Sequence, residues 1–151
     1  MAGGRIDEVP DHVFHVSGRI NSTWGGGLTD MVRSRRMLEI IEAEGLIEAA
    51  GPKGERLLAG LRRQAAAHGT GDDEPLVDNV RGRGLFAACD LATPELRAAL
   101  ITDLHDVEHV IVLPCGVRSI RFRPALSITE DEIDEAVAAV GRSLARIAPT
   151  R

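Results

Sequence analysis

The stretch Thr129–Ile147, TEDEIDEAVAAVGRSLARI, carries the clearest secondary-structure pattern in the chain. Thr129 and Glu132 have the spacing of a capping box, in which each side chain satisfies a free backbone amide of the other residue where a helix begins. Apolar residues then recur at helical spacing along one stripe: Ile133, Ala136, Val137, Val140, Leu144 and Ile147. The pattern predicts an amphipathic helix that packs on a small sheet.

Four short runs upstream of this helix are typical of β-strands, because they are apolar and are bounded by residues that favour turns. They are residues 76–80, 85–91, 110–113 and 119–122. We expect residues 81–84, RGRG, to form a turn or bulge between the first two strands, and Pro114 to stop the third. A helix from about Pro94 to Leu104 follows the second strand, with Thr93 as its N-cap.

Two further helices are predicted in the first half of the chain. One begins at Leu28 and ends or bends at Gly45, and the other extends from about Lys53 to His68. The apolar positions of the first are Leu28, Met31, Val32, Leu38 and Ile41. Residues 69–73, GTGDD, are expected to form an exposed, mobile loop. A short apolar patch at Val13, Phe14 and Val16 suits a strand or extended chain.

The order of elements indicates the fold class. Two helices, two strands, a helix, two strands and a last helix match neither an alternating βαβ pattern nor an all-β pattern. We therefore predict an α+β fold, in which helices cover a small antiparallel or mixed sheet. A chain of 151 residues with 44% hydrophobic residues is sufficient for one compact unit with its own core.

The charge balance limits the classes of partner. The net charge is −5 and the pI is near 5.5, so no general positive field attracts nucleic acid or anionic lipid. No apolar run is long enough to span a bilayer, and the first ten residues lack the pattern of a signal peptide. We expect a cytoplasmic protein that binds neither nucleic acid nor membrane. Cys89 and Cys115 are interpreted as small buried hydrophobic residues.

Residues 21–27, NSTWGGG, place two hydroxyls and three glycines directly before the first predicted helix. Free amides and the helix dipole at such a position favour a phosphate or carboxylate. The alternative is a capped loop, in which the Ser22 and Thr23 hydroxyls serve only the helix. The pattern alone leaves both possibilities open.

Three segments resemble class III pyridoxal-phosphate-dependent aminotransferases. Residues 22–28, STWGGGL, resemble the family's Ser/Thr-Thr-aromatic-Gly-Gly-Asn segment, and with Arg19-Ile20-Asn21 they are most similar to its L-lysine 6-aminotransferase branch. Residues 120–126, IRFRPAL, resemble the family's Arg-Phe-x-Pro-Pro-Leu pattern, and residues 81–85 resemble its Arg-Gly-x-Gly-Leu strand entry. Gly27 and Ala125 depart from the usual asparagine and proline.

The resemblance implies a role for three residues. Thr23 would bind the phosphate of a pyridoxal 5'-phosphate held by the neighbouring subunit of a homodimer, with Ser22 as a weaker neighbour. Arg121 would bind the carboxylate of the substrate, a task that suits the planar fork of a guanidinium. Arg123 is two residues away and would share a face of a regular strand, so spacing alone does not choose between the two arginines.

The resemblance also implies what this chain lacks. The family forms a Schiff base between the cofactor and a lysine upstream of the Ser-Thr segment, but the only lysine here is Lys53, which is interpreted as a solvated surface residue. Residues 1–27 would belong to the end of a large cofactor domain, and residues 28–151 to a C-terminal small domain with its linking helix, as in fold-type I transferases. We expect the chain alone to be inactive.

The complete enzyme implied by this resemblance transfers a terminal amino group from an amino-acid donor to 2-oxoglutarate. Two other hypotheses remain. The chain is a non-catalytic interaction module that pairs with an intact aminotransferase subunit, or, more remotely, a zinc hydrolase. The last rests on His105, Glu108 and His109, which match the H-x-x-E-H zinc pattern and require a helix through all five residues.

Overall fold

The computed structural model describes residues 3–15, 18–19, 22–68 and 75–148. The contacts divide the chain into a first unit up to Ile40 and a second unit from Ile41. In chain order, the elements are α1 (Leu28–Ala43), α2 (Leu46–Ala67), β1 (Val77–Arg83), β2 (Phe86–Leu91), α3 (Pro94–Asp106), β3 (Leu113–Cys115), β4 (Ser119–Phe122) and α4 (Glu130–Ile147), with a short 3-10 helix at Gly4–Glu8. The predicted α+β class is confirmed.

The sheet of the second unit has four antiparallel strands in the order β1-β2-β4-β3. Helices α2 and α3 pack against the strands, and α4 packs against α2 and α3. We expected α4 to contact the sheet, but the two other helices lie against it instead. Its apolar stripe still joins the common core, where Ile133, Val140 and Leu144 are almost completely buried.

The capping box at the start of α4 is confirmed. The Glu132 amide donates to the Thr129 Oγ1 at 3.2 Å, and the Thr129 amide donates to the Glu132 carboxylate at 2.7 Å. Near the other end, Arg142 and Arg146 bind carboxylates of Asp103 and Glu108. These ion pairs join α4 to α3 and to the residues that follow α3.

Helix α2 begins at Leu46, seven residues before the predicted start at Lys53. Gly51 and Pro52 lie inside this helix, although proline cannot donate a helical hydrogen bond. Ala50, just before them, packs against the hydrophobic core. A Cβ at Gly54 would lie 2.1 Å from the Gly84 carbonyl oxygen, so the helix backbone touches the β1–β2 turn. Lys53 is half-buried inside the helix and does not lie at a loop boundary.

The strand boundaries also differ from the prediction. Residues 81–83 belong to β1, and only Gly84 and Leu85 form the turn, with Gly84 at a φ of 54°. Strand β3 contains Pro114, whereas residues 110–112 are outside it. Proline is tolerated because β3 is the last strand of the sheet and pairs only with β4. The Thr93 cap of α3 is confirmed by a hydrogen bond from the Leu96 amide at 3.1 Å.

In the first unit, α1 starts at Leu28 as predicted, and Gly45 follows it in the left-handed conformation. Neither α1 nor the short 3-10 helix has a buried residue. Val13 and Phe14 lie in turns and are exposed, while Val16 and the predicted loop at 69–73 lie outside the described residues. No helix among the described residues is long and apolar enough to cross a membrane.

Candidate functional site

Two consecutive turns lead from Ser22 into α1. The Gly25 amide donates to the Ser22 carbonyl at 3.1 Å, and the Gly27 amide donates to the Trp24 carbonyl at 3.3 Å. Gly26 has a φ of +77°, a conformation that glycine adopts without strain. The glycines of this stretch therefore shape a compact turn immediately before the positive end of the helix.

The hydroxyls of Ser22 and Thr23 are exposed in this turn. Within the described part of the chain, neither hydroxyl makes a hydrogen bond to another residue, so neither acts there as a helix cap. The first amides of α1 lack helical partners, as at the start of every α-helix. Free hydroxyls beside free amides match the needs of a phosphate oxygen. Asn21 lies outside the described residues.

Arg121 lies on β4, between Ala88 of β2 and Leu113 of β3. Its Nε atom is buried and has no hydrogen-bond partner among the described residues; only Asp78 Oδ1 and Arg97 Nε share that status. A buried donor without an acceptor costs about 1–3 kcal/mol. An anion that reached Arg121 would remove this cost, which makes the guanidinium a suitable carboxylate anchor.

A cleft of about 400 Å³ adjoins this arginine. Arg121 and Arg123 are its two charged lining residues, and the others are apolar. The apolar wall includes Leu57, Ile111, Leu113, Phe122, Ile128 and Ile133. No acidic residue of the described chain lines the cleft, so its two charges are both positive.

Arg123 differs from Arg121 in position and exposure. Strand β4 ends at Phe122, so Arg123 lies beyond it, and the expectation that the two arginines share a face of one regular strand is wrong. Arg123 is exposed, whereas Arg121 is half-buried. Within the described residues neither forms an ion pair. Arg121 therefore differs from Arg123 in having a buried Nε atom without a hydrogen-bond partner among the described residues.

A polar cluster that sequence reasoning missed lies beside Arg121 on the sheet. Asp90 is 8% exposed, and its carboxylate accepts hydrogen bonds from Ser119, Arg81 and Asn79 at 2.5, 2.9 and 2.8 Å. Desolvation tends to raise the pKa of Asp90, but these three hydrogen bonds outweigh it and lower the pKa to about 2. The signal was present in residues 87–91, AACDL, since an acid in an apolar strand needs partners.

The zinc pattern does not form a site. Helix α3 ends at Asp106, and His109 has a φ of 56°, so the required helix through residues 105–109 is absent. The Glu108 carboxylate binds Arg142 and Arg146, which lower its pKa. No group of three or more metal-ligating side chains occurs among the residues the structure describes.

Neither cysteine lines the cleft beside Arg121, although Cys89 precedes Asp90 in β2 and Cys115 pairs with Ser119. Cys89 is fully buried, and burial raises the pKa of its thiol to about 12, in keeping with the role of a small hydrophobic residue. Cys115 is half-buried rather than fully buried. Lys53 lies in α2 and does not line the cleft beside Arg121.

Thr23 and Ser22 lie in the first unit, whereas Arg121, Arg123 and the Asp90 cluster lie in the second. The structure thus brings Ser22 and Thr23 together in one turn, and it places Arg121 beside an apolar cleft. Each location has the chemistry of an anion site, one suited to a phosphate and the other to a carboxylate.

Known proteins are similar to this chain over most of its length. The chain is 47% identical over 148 residues to L-lysine-epsilon aminotransferase of Streptomyces clavuligerus, and 52% identical over 144 residues to that of Mycobacterium tuberculosis. These alignments cover 98% and 95% of this chain but only 31% of each relative. The chain therefore spans about a third of the length of the curated relatives it matches.

The fold matches a solved structure of the same kind. Lysine aminotransferase from Mycobacterium tuberculosis superposes with a TM-score of 0.83 at 50% identity, over 98% of this chain and 33% of that chain. The family model described as Aminotransferase class-III matches residues 6–144. The chain therefore belongs to the class III aminotransferase family.

Proposed function

We propose that the chain is the C-terminal portion of a pyridoxal-phosphate-dependent aminotransferase that moves the terminal amino group of L-lysine to 2-oxoglutarate. Identity of 47–52% to L-lysine-epsilon aminotransferases over nearly the whole chain supports this choice of donor. Residues 1–27 then form the end of the large domain, and residues 28–151 form the small domain with its linking helix.

The residues present fit part of the cofactor. Class III aminotransferases depend on pyridoxal phosphate, which supplies the carbonyl and the electron sink for amino transfer. The exposed hydroxyl of Thr23, which has no hydrogen-bond partner among the described residues, would donate to the phosphate across a homodimer interface, with Ser22 beside it. The chain offers no lysine at either candidate site, since Lys53 lies within α2.

The observation that carries the substrate role is the buried, unpaired Nε of Arg121 at an apolar cleft. In this position the guanidinium binds the carboxylate of donor or acceptor and fixes its direction by two parallel hydrogen bonds. The apolar walls exclude water and strengthen that interaction. Arg121 positions the substrate and does not perform the covalent step.

Carboxylate binding to the purified chain tests this role. We would titrate acetate and follow the backbone amide signals of the cleft residues Leu113 and Phe122 by NMR in the parent, Arg121→Met and Arg123→Met chains. The parent and Arg123→Met should bind with similar affinity, and Arg121→Met should lose saturable binding. Equal binding by Arg121→Met would contradict the anchor.

The chain alone should not catalyse transamination. With pyridoxal phosphate, L-lysine and 2-oxoglutarate present, we expect no formation of glutamate above the level of free cofactor. A signal that rises with chain concentration would show that the chain is catalytically sufficient and would overturn this part of the proposal.

One observation favours a second function, pairing with an intact aminotransferase subunit. Helix α1 has no buried residue, and Leu28, Val32 and Leu38 are between 64% and 80% exposed. Exposed apolar residues on one helix are typical of a surface that another polypeptide covers. Co-purification of the chain with a full-length L-lysine-epsilon aminotransferase, lost on Leu28→Glu and Val32→Glu substitution, would support it. Failure to co-purify would reject it.

A further inference from the structure

The register of the sheet places a carboxylate beside Arg121. Ala88 pairs with Arg121, and Asp90 pairs with Ser119. Residues opposite each other on antiparallel strands, and residues two apart on one strand, share a face of the sheet. Asp90 and Arg121 are therefore diagonal neighbours on one face, about 7–8 Å apart at their side-chain roots. An arginine side chain spans that distance.

The two residues nevertheless form no ion pair. Both oxygens of Asp90 are occupied: Oδ1 accepts from Ser119 and Arg81, and Oδ2 accepts from Asn79. The cluster keeps Asp90 ionised, since these hydrogen bonds lower its pKa to about 2. The ionised carboxylate of Asp90 lies within reach of Arg121 but is bound by Ser119, Arg81 and Asn79 instead.

The shape of β1 makes this possible. The β1–β2 register shifts between Asp78 and Arg81, and Asn79 has a φ of 47°. Such a bulge re-aims side chains relative to the regular pleat. As a result, Asn79 and Arg81 both reach Asp90, and Arg81 Nη1 also donates to the Asn79 carbonyl at 2.9 Å. The bulge and its cluster form one hydrogen-bonded unit.

We propose that Asn79, Arg81 and Ser119 are positioning residues that hold Asp90 away from Arg121, so that the Arg121 guanidinium stays available to a carboxylate ligand. This inference rests on the proposed role of Arg121. Without Arg81, Asp90 would retain its charge but lose its cation, and Arg121, its diagonal neighbour on the sheet, would become a replacement partner. An internal carboxylate would then compete with the external one.

The test measures acetate affinity at the Arg121 Nε–H signal by NMR in four variants of the full chain. Arg81→Met should weaken acetate binding about tenfold, a change typical of a competing charge at contact distance. The double variant Arg81→Met with Asp90→Asn should restore the parent affinity within about twofold, because the competitor is then neutral. Asp90→Asn alone should bind like the parent.

Arg83→Met is the matched control, because Arg83 is two residues along β1 and makes no hydrogen bond to Asp90 in the described structure. Should Arg81→Met fail to fold, Ser119→Ala removes a different partner of Asp90 and should weaken acetate binding about threefold, again restored by Asp90→Asn. The dispersion of the amide spectrum reports folding in every variant.

The outcomes separate the two claims. If Arg81→Met binds acetate like the parent, or if its loss persists in the double variant, the positioning role is wrong while the Arg121 anchor stands. If the parent chain shows no saturable acetate effect at Arg121, the anchor itself is wrong, and the positioning proposal is rejected with it.

Discussion

The residues from Ile41 onward and those before them differ in how they hold their candidate site residues. The second unit buries a continuous core, in which Leu91, Leu100, Ile120 and Leu144 have no exposed surface. The first unit buries no residue of α1 or of the 3-10 helix. Arg121 is therefore positioned by a packed sheet, whereas Thr23, within the described residues, is positioned by the turn that precedes α1.

The largest difference between the units should appear on truncating one leucine in each. Leu144→Ala removes a side chain with no exposed surface and should lower the free energy of unfolding by about 2–5 kcal/mol. The control Leu38→Ala removes a side chain that is 64% exposed and should change it by less than about 0.5 kcal/mol. Urea denaturation measures both, and similar losses would contradict the comparison.

A smaller difference should separate two threonines that precede helices. Thr129→Ala breaks the capping box of α4 and should cost about 1 kcal/mol of unfolding free energy. Thr23→Ala removes a hydroxyl without a partner among the described residues and should cost less than about 0.5 kcal/mol. If both substitutions lower the unfolding free energy equally, the Thr23 hydroxyl acts as a helix cap, and the interpretation that it is free to bind a phosphate is wrong.

The Asp90 cluster should give the second unit a specific acid sensitivity. The pKa of Asp90 is about 2 in the folded chain, below the value near 3.9 of an unfolded chain. The stability that it contributes is therefore present above pH 4 and is lost as the pH falls towards 2. Between pH 6 and pH 3, the parent should lose about 1 kcal/mol more unfolding free energy than Asp90→Asn. Parallel pH profiles would contradict this assignment.

The sequence correctly predicted the features that depend on residues close together in the chain. The Thr129 capping box, the Thr93 cap and the start of α1 each depend on a few neighbouring residues, and all are confirmed. The start of α2 at Leu46 was missed, and Ala50 in this earlier part packs against a core built from residues distant in sequence. The predicted start at Lys53 was therefore wrong.

In the candidate site too, the sequence indicated residues within short motifs but not contacts between residues distant in the chain. The motifs pointed to Thr23 and Arg121, because these residues lie within short recognisable segments. The difference in position between Arg121 and Arg123 depends on where β4 ends, and the Asp90 cluster joins residues of three strands, β1, β2 and β4. No spacing along one strand contains that information.

The most direct test of the central claim uses a chimera of L-lysine-epsilon aminotransferase from Mycobacterium tuberculosis, in which this chain replaces the segment that it matches. We expect the chimera to transfer the amino group of L-lysine to 2-oxoglutarate, because the replaced segment is 52% identical. Arg121→Met in the chimera should lower kcat/KM by about 30-fold or more, while Arg123→Met should lower it less than about threefold. An inactive chimera, or equal losses from the two arginine substitutions, would contradict the account.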